Sequence, residues 1–97
     1  MKVRYRPTAL AQLDAIFNYV AAHNRPAAQR VIDTIKRSID RLADFPRSAK
    51  PSEIPSIREM PIVRYPYVVF YTVDDAAQEV HILRVRHTSQ DPEHHLD

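Results

Sequence analysis

Two apolar runs, residues 68–73 and 80–85, constrain the fold more than any other feature of the sequence. Both are rich in β-branched and aromatic residues, and the polar segment DDAAQE separates them. Such side chains favour extended backbone, and a short polar segment between two such runs is typical of an antiparallel hairpin. We therefore predict that these runs pair as the central hairpin of a sheet.

Cationic side chains gather at the ends of this hairpin and just before it. They are Arg58, Arg64, Arg84, Arg86 and His87. Taking an unpaired guanidinium out of water costs on the order of several kcal/mol, so a buried strand avoids such groups. We therefore expect these side chains to lie on an open sheet face or at strand ends, where an anion can reach them.

The first half of the chain predicts one short strand followed by two helices. Residues 2–6 alternate between apolar and cationic side chains, as in a strand with one wet face. Apolar residues then recur at helical spacing over about 8–23 and 26–44. Asn24 is suited to cap the end of the first helix, and Pro26 fits the first turn of the second. A short connection between two such helices predicts an antiparallel helical hairpin.

The second half predicts a loop and then three strands. Residues 45–56 contain three prolines among serines and charged residues, which favours a loop. A strand follows from about Ile57, and the central hairpin completes the sheet. The tail, residues 88–97, has no apolar periodicity, and we expect it to be frayed and flexible.

The element order is strand, helix, helix, strand, strand, strand, which predicts one α+β domain over residues 1–97. Helices and strands that are segregated indicate a mainly antiparallel sheet. Periodicity leaves open whether the N-terminal strand joins it at an edge or inside. For the face under the helices we favour Val68, Phe70, Leu83 and Val85, although the opposite residues Val69, Tyr71 and Ile82 are also apolar.

Composition excludes several function classes. The chain has no glycine, and glycine-rich loops that bind phosphates or dinucleotides require it, so we expect no cofactor. It has no cysteine, and the adjacent His94 and His95 stand without a carboxylate pattern, so we expect no metal site. With 14 basic against 12 acidic residues, the charge is too balanced for a general nucleic-acid binder. No run has transmembrane length and no signal core is present, so we expect a cytoplasmic protein without a membrane partner.

One charged pattern has two interpretations. Arg30, Arg37 and Arg41 share a face of the second helix, which is compatible with a binding ridge. The pairs Asp33–Arg37 and Lys36–Asp40 have the spacing of solvated ion pairs, and this favours an ordinary wet face.

Four segments in order make the chain resemble a known family. They are VRYRPTALAQLDAIFNYV, PAAQRVIDTIKRSIDRLADFP, IREMPIVRYPYVVFYTVDD and VHILRVRHTSQDP. Together they are similar to the RelE/ParE superfamily of type II toxins, closest to its ParE-like branch. The loop PRSAKP departs from the family, which often has a glycine there.

The resemblance implies a toxin of a toxin–antitoxin, or plasmid stabilisation, module. Its partner is a cognate antitoxin, with which it forms a hetero-oligomer. ParE-like members bind DNA gyrase and block replication, which is the function we favour. The alternative is a RelE-like endonuclease that cuts mRNA on the ribosome. A third reading is a degenerate member that binds antitoxin without toxicity.

The resemblance also assigns roles to the cationic residues. For a RelE-like enzyme Arg58 and His87 are the catalytic candidates, with Glu59 as another base and Tyr67 or Tyr71 as a donor. Cleavage by a ribose 2′-hydroxyl needs a base, an acid and cations near the phosphate. For a ParE-like protein we expect Arg58, Arg64, Arg84 and Arg86 to contact the target or the antitoxin. Structural roles remain open for each of these residues.

Overall fold

The computed structural model describes residues 1–90, which form two helices and one five-stranded sheet. In chain order the elements are β1 (Lys2–Tyr5), α1 (Pro7–Ala21), α2 (Arg25–Asp40), β2 (Lys50–Pro51), β3 (Arg58–Pro61), β4 (Tyr67–Asp74) and β5 (Glu79–His87). One 3-10 turn, Arg41–Ala43, extends α2, and another, Thr88–Gln90, follows β5.

The strand order β1-β5-β4-β3-β2 confirms the predicted α+β architecture. Strands β3, β4 and β5 form the expected antiparallel meander. The N-terminal strand lies at the edge, where β1 runs parallel to β5. One element was missed, because Lys50 and Pro51 of the predicted loop pair with β3 as a two-residue edge strand. Proline is tolerated there because an edge strand leaves one side unpaired.

The helices agree with prediction except at their caps. Pro26 lies in the first turn of α2 as expected. Asn24, however, does not end α1. It is the N-cap of α2, where its side-chain oxygen accepts a hydrogen bond from the Ala27 amide at 3.0 Å. With φ −159° its backbone is extended, as an N-cap requires, and not left-handed as the predicted C-cap would be.

The helical hairpin covers one face of the sheet. Ile35 and Ile39 of α2 are completely buried together with Val69 and Tyr71 of β4. The Tyr71 hydroxyl donates a hydrogen bond to the Pro46 carbonyl oxygen at 2.8 Å, which ties the loop after α2 to the sheet. A buried tyrosine needs such a partner, so this bond fixes where the chain leaves the helices.

The predicted choice of sheet face was wrong for three of its four residues. Val85 joins the core cluster under the helices, as do Val80 and Ile82, whereas Val68, Phe70 and Leu83 do not. The prediction is wrong for Val68 and Phe70 because both faces of β4 are apolar, and it is wrong for Leu83 because a β-bulge separates it from Val85. Tyr71 pairs with Ile82 and Phe70 with Arg84, so Leu83 has no partner on β4. One extra residue reverses which side chains face the core.

The predicted flexible tail falls mostly outside the described residues. Residues 88–90 form a short 3-10 turn, and residues 91–97, including His94 and His95, lie beyond the part that the structure describes. Among residues 1–90, no helix has both the length and the apolar composition that crossing a membrane requires.

The cap of α2 gives a stability prediction. Replacing Asn24 by alanine removes the bond to the Ala27 amide and leaves that donor without a side-chain partner. We expect Asn24→Ala to lower the free energy of unfolding by about 1 kcal/mol, measured by urea denaturation. Asn18→Ala, at an exposed position inside α1, is the matched control and should not destabilise. Equal behaviour of the two variants would contradict the assigned cap.

Candidate functional site

The sheet face opposite the helices carries an apolar groove with cationic walls, here called the open-face groove. It has a volume of about 260 Å³ and is lined by Ile54, Ile57, Phe70, Leu83, Arg84 and Arg86. Ile54 belongs to the loop before β3 and is largely exposed. The bulge places Leu83 and Arg84 side by side on this face. Such a surface suits a partner that is both apolar and acidic.

Charged residues continue this surface across the sheet. Phe70 lies in register with Arg84 on one side and with Glu59 on the other, and Glu59 in turn pairs with Lys50. The Lys50 ammonium lies 3.0 Å from the Glu59 carboxylate, which is only 6% exposed as a residue. Glu59, a candidate base from the sequence, is therefore held in an ion pair beside the groove.

Arg58 and His87, the two catalytic candidates, lie far from each other. Arg58 pairs with Tyr71 and His87 with Tyr67, on opposite sides of β4. From strand spacing and rise, their Cα atoms are about 16 Å apart. The Arg58 guanidinium donates a hydrogen bond to the Ala49 carbonyl oxygen at 2.7 Å. The structure therefore directs Arg58 to the loop after α2, away from His87.

His87 lies in a second groove, between α1 and the end of β5. Its ring meets that of Tyr67 edge to face at 5.5 Å, and Tyr19 lines the same groove. The Ser89 amide donates to His87 Nδ1 at 3.1 Å, so the proton of the neutral ring is on Nε2. Burial raises the pKa of the Tyr67 phenol, and Tyr19 adds to that shift. Tyr67 is therefore a proton donor at neutral pH and not a base.

Tyr71, the other candidate donor, lies under the helices. Burial raises the pKa of its phenol, and the hydrogen bond with Ala49 and the charges of Arg58 and Arg47 partly oppose the shift. Because its hydroxyl is bonded to Pro46 and the residue is fully buried, Tyr71 holds the fold together.

Arg64 lies apart from the other candidates, in the turn between β3 and β4. It is exposed and adopts φ 80°, in the left-handed region. It faces α2 across a groove that it shares with Arg37 and Arg41. The structure thus divides the cationic residues of the sequence among separate surfaces.

One charged cluster was not anticipated from the sequence. Arg4 Nε donates to the Glu79 carboxylate at 2.9 Å, and His81 Nε2 lies 3.1 Å from the other oxygen of that carboxylate. The three side chains come from β1 and β5, which pair in parallel. Register between a chain end and a distant strand gives no local sequence signal, so the cluster could not be predicted. Within residues 1–90, no group of three histidines or carboxylates is arranged to hold a metal ion.

Comparison with known proteins decides the family. The model of the ParE toxin of the type II toxin–antitoxin system parDE matches residues 3–92. The chain belongs to this toxin family. The putative toxin Y4kP of Sinorhizobium fredii is 35% identical, over 92% of this chain and 90% of that protein.

Two further relatives cover both branches of the superfamily. Toxin RelE2 of Caulobacter vibrioides is 38% identical, over 84% of this chain and 89% of that protein. A solved chain from the chromosomal ParDE toxin–antitoxin system of P. aeruginosa has a TM-score of 0.78 and 27% identity, covering 90% of this chain and 95% of that one. The resemblance to the RelE/ParE superfamily is confirmed, and its toxins act within toxin–antitoxin systems.

The Arg4–Glu79 contact gives a pH-dependent prediction. The hydrogen bond from Arg4 lowers the pKa of Glu79 below its usual 4.5, although burial opposes the shift. Because the folded pKa lies below the unfolded one, this stabilisation is complete above 4.5 and is lost as the pH falls through the folded pKa. We expect Glu79→Gln to make the free energy of unfolding fall less steeply with acidification, as measured by urea denaturation at a series of pH values.

The matched control for this titration is Glu53→Gln, because Glu53 is an exposed carboxyl of the loop before β3. Glu53 forms no ion pair within residues 1–90, so this variant measures the effect of removing an exposed carboxyl alone. A Glu79→Gln profile that follows the wild type through the acid range would show that the Arg4 contact does not stabilise the fold.

Proposed function

We propose that this protein is a ParE-like toxin that acts by binding DNA gyrase and blocking replication. The observation that carries the proposal is the separation of Arg58 from His87. A cleavage site needs its base, its acid and its cations around one phosphate, within hydrogen-bond reach of it. Arg58 and His87 do not meet that condition as they are placed, because the Arg58 guanidinium is bonded to the Ala49 carbonyl oxygen while His87 lies in the groove beside α1, with their Cα atoms about 16 Å apart. A binding surface has no such requirement.

The toxin would act in the cytoplasm as part of a plasmid stabilisation module. A cognate antitoxin keeps it inactive, and we propose that the antitoxin covers the open-face groove. The groove combines the apolar side chains of Phe70 and Leu83 with the exposed Arg84. An antitoxin segment with apolar anchors and acidic residues would complement both. The resulting complex would be a hetero-oligomer of the two proteins.

An mRNA endonuclease is the second candidate, and two observations favour it. One relative at 38% identity is named RelE2. In addition, Arg84 and Arg86 line an open groove where they could meet a phosphate. A degenerate toxin that only binds antitoxin is the third candidate. It differs from the others in that its expression would harm no cell.

A pair of assays separates the three candidates. We expect the purified wild-type protein to inhibit supercoiling by DNA gyrase, and cells that make it to filament while their transcripts stay whole. Under this proposal Arg84→Ala and Arg86→Ala weaken inhibition by degrees, because a surface contact contributes about 1 kcal/mol. His87→Ala should leave inhibition unchanged, because His87 lines the groove beside α1 and not the open-face groove.

If the protein is an endonuclease, the same proteins should give the opposite results in these assays. Codon-positioned cuts in transcripts on translating ribosomes, lost in His87→Ala or Arg58→Ala, would overturn the gyrase proposal. Removing a general acid or base lowers the rate by about two to four orders of magnitude, which separates it from a contact effect. Wild-type protein that is harmless in both assays would favour the degenerate reading.

The antitoxin surface has its own test. Leu83→Ser removes an apolar anchor from the open-face groove, so we expect the affinity for the antitoxin encoded beside the toxin gene to fall at least about tenfold. Leu10→Ser is the control, because Leu10 is 52% exposed on α1, away from the groove. Isothermal titration calorimetry at low and moderate salt measures both. Equal affinities of the two variants would move the antitoxin surface elsewhere.

A further inference from the structure

The groove between α2 and the β3–β4 turn carries three arginines that the proposed function does not use. Here it is called the arginine groove. It has a volume of about 450 Å³ and is lined by Thr34, Arg37, Ser38, Asp40, Arg41, Val63 and Arg64. Since α2 packs on the other side of the sheet, the arginine groove and the open-face groove lie on opposite sides of the molecule.

Two of the three guanidinium groups of the arginine groove contact hydroxyls, and within residues 1–90 none forms an ion pair with a carboxylate. Arg37 donates to the Thr34 hydroxyl at 3.4 Å, and Arg41 donates to the Ser38 hydroxyl at 3.5 Å. Within residues 1–90 no ion pair joins either of them, or Arg64, to a carboxylate. Each guanidinium has five donor hydrogens, so most of this capacity is available to a ligand.

Of the two ion pairs that the sequence suggested for this helix face, Asp33–Arg37 and Lys36–Asp40, neither is present within residues 1–90. The side chain of Asp33, one turn before Arg37, accepts a hydrogen bond from Gln29 Nε2 at 2.9 Å instead. Asp40 is the one carboxylate in the lining of the groove, against three guanidinium groups. The wall is therefore positive, although the chain as a whole is close to neutral.

The β3–β4 turn presents the third arginine and an apolar neighbour. Arg64 adopts φ 80°, a conformation that is uncommon for a residue other than glycine and that clusters at binding sites. Val63, beside it in the groove, is 73% exposed. A surface that combines arginines with an exposed valine matches a ligand that has both carboxylates and apolar groups.

We propose that the arginine groove binds an acidic, amphipathic helical segment of a protein partner. Arg37 and Arg41 are one helical turn apart, about 6 Å along the axis, which equals the spacing of two carboxylates at i and i+4 on a partner helix. Each carboxylate of the partner helix accepts a bidentate contact from one of these arginines, and a leucine of the partner between the two carboxylates covers Val63.

The same lining disfavours a nucleic acid. Within residues 1–90 no aromatic side chain lines the groove, so unpaired bases have nothing to stack on. The proposed site does not depend on which target the toxin has, because the arginine groove is separate from the open-face groove. A second partner can therefore bind while the antitoxin is in place.

Fluorescence anisotropy with a designed probe tests the site. The probe is a labelled, capped helical peptide with glutamates at i and i+4 and leucines beside them, and its partner peptide has glutamines instead. We expect the wild-type protein to bind the glutamate peptide, less tightly as salt rises, and the glutamine peptide at least tenfold more weakly. Arg37→Gln, Arg41→Gln and Arg64→Gln should each weaken binding about tenfold.

Arg30→Gln is the matched control, because Arg30 is exposed on α2 outside the arginine groove. It should bind like the wild type. Should an arginine variant unfold, two-dimensional NMR of the wild type replaces it, and the guanidinium resonances of Arg37 and Arg41 should shift on adding the glutamate peptide. Equal binding of the two peptides, unshifted resonances, or tighter binding of a single-stranded oligonucleotide that competes with the peptide would overturn the proposal.

Discussion

The pairing of β4 with β5, and the bulge inside it, determines what each side of this toxin presents. Before the bulge, Val80 and Ile82 face the helices. After it, Val85 faces them, because Leu83 is unpaired on β4. Without the extra residue, strict alternation from Ile82 would turn Arg84 toward the helices and Val85 away from them. A guanidinium under the helical hairpin would be costly, so the bulge and the core require each other.

The same bulge concentrates the binding chemistry of the sheet. Leu83 and Arg84 follow one another in the chain, yet both line the open-face groove. An alternating strand would send one of them to each side. A single inserted residue thus supplies both the apolar anchor and the neighbouring charge.

The sequence predicted the elements well and the sheet faces poorly, for one physical reason. On α2 the apolar residues form a single stripe, so the residues predicted from helical spacing are the ones that are buried. Ile35 and Ile39 are examples. On β4 the residues on both faces are apolar, since one face packs on helices and the other forms the groove. Alternation then does not indicate which face packs on the helices. The sequence therefore could not show that Val69 is in the core and Val68 is on the opposite face. The bulge leaves no mark in the sequence either.

The prediction of the site residues was limited because the sequence does not show which distant residues the fold brings together. The sequence identified Arg58, Arg84 and His87 as unusual, because cations are rare in apolar strands. It could not show that β4 separates Arg58 from His87, or that the hairpin turns Arg84 to the open face. Spacing along the chain fixes neighbours on one helix, such as Arg37 and Arg41, but not those that a sheet brings together.

The nearly neutral net charge of the chain does not reveal that ion pairs within the sheet and arginines without carboxylate partners lie in different places. Two glutamates that pair, Glu59 with Lys50 and Glu79 with Arg4, lie within the sheet and connect its edge strands to their neighbours. Two arginines without a carboxylate partner in the described chain, Arg37 and Arg41, instead line a groove at the margin of the sheet. Arginines without a carboxylate partner can still make bidentate contacts with a ligand, whereas arginines in ion pairs use those donors within the fold. A nearly neutral toxin can therefore bind acidic partners through local positive surfaces while its net charge attracts nucleic acid only weakly.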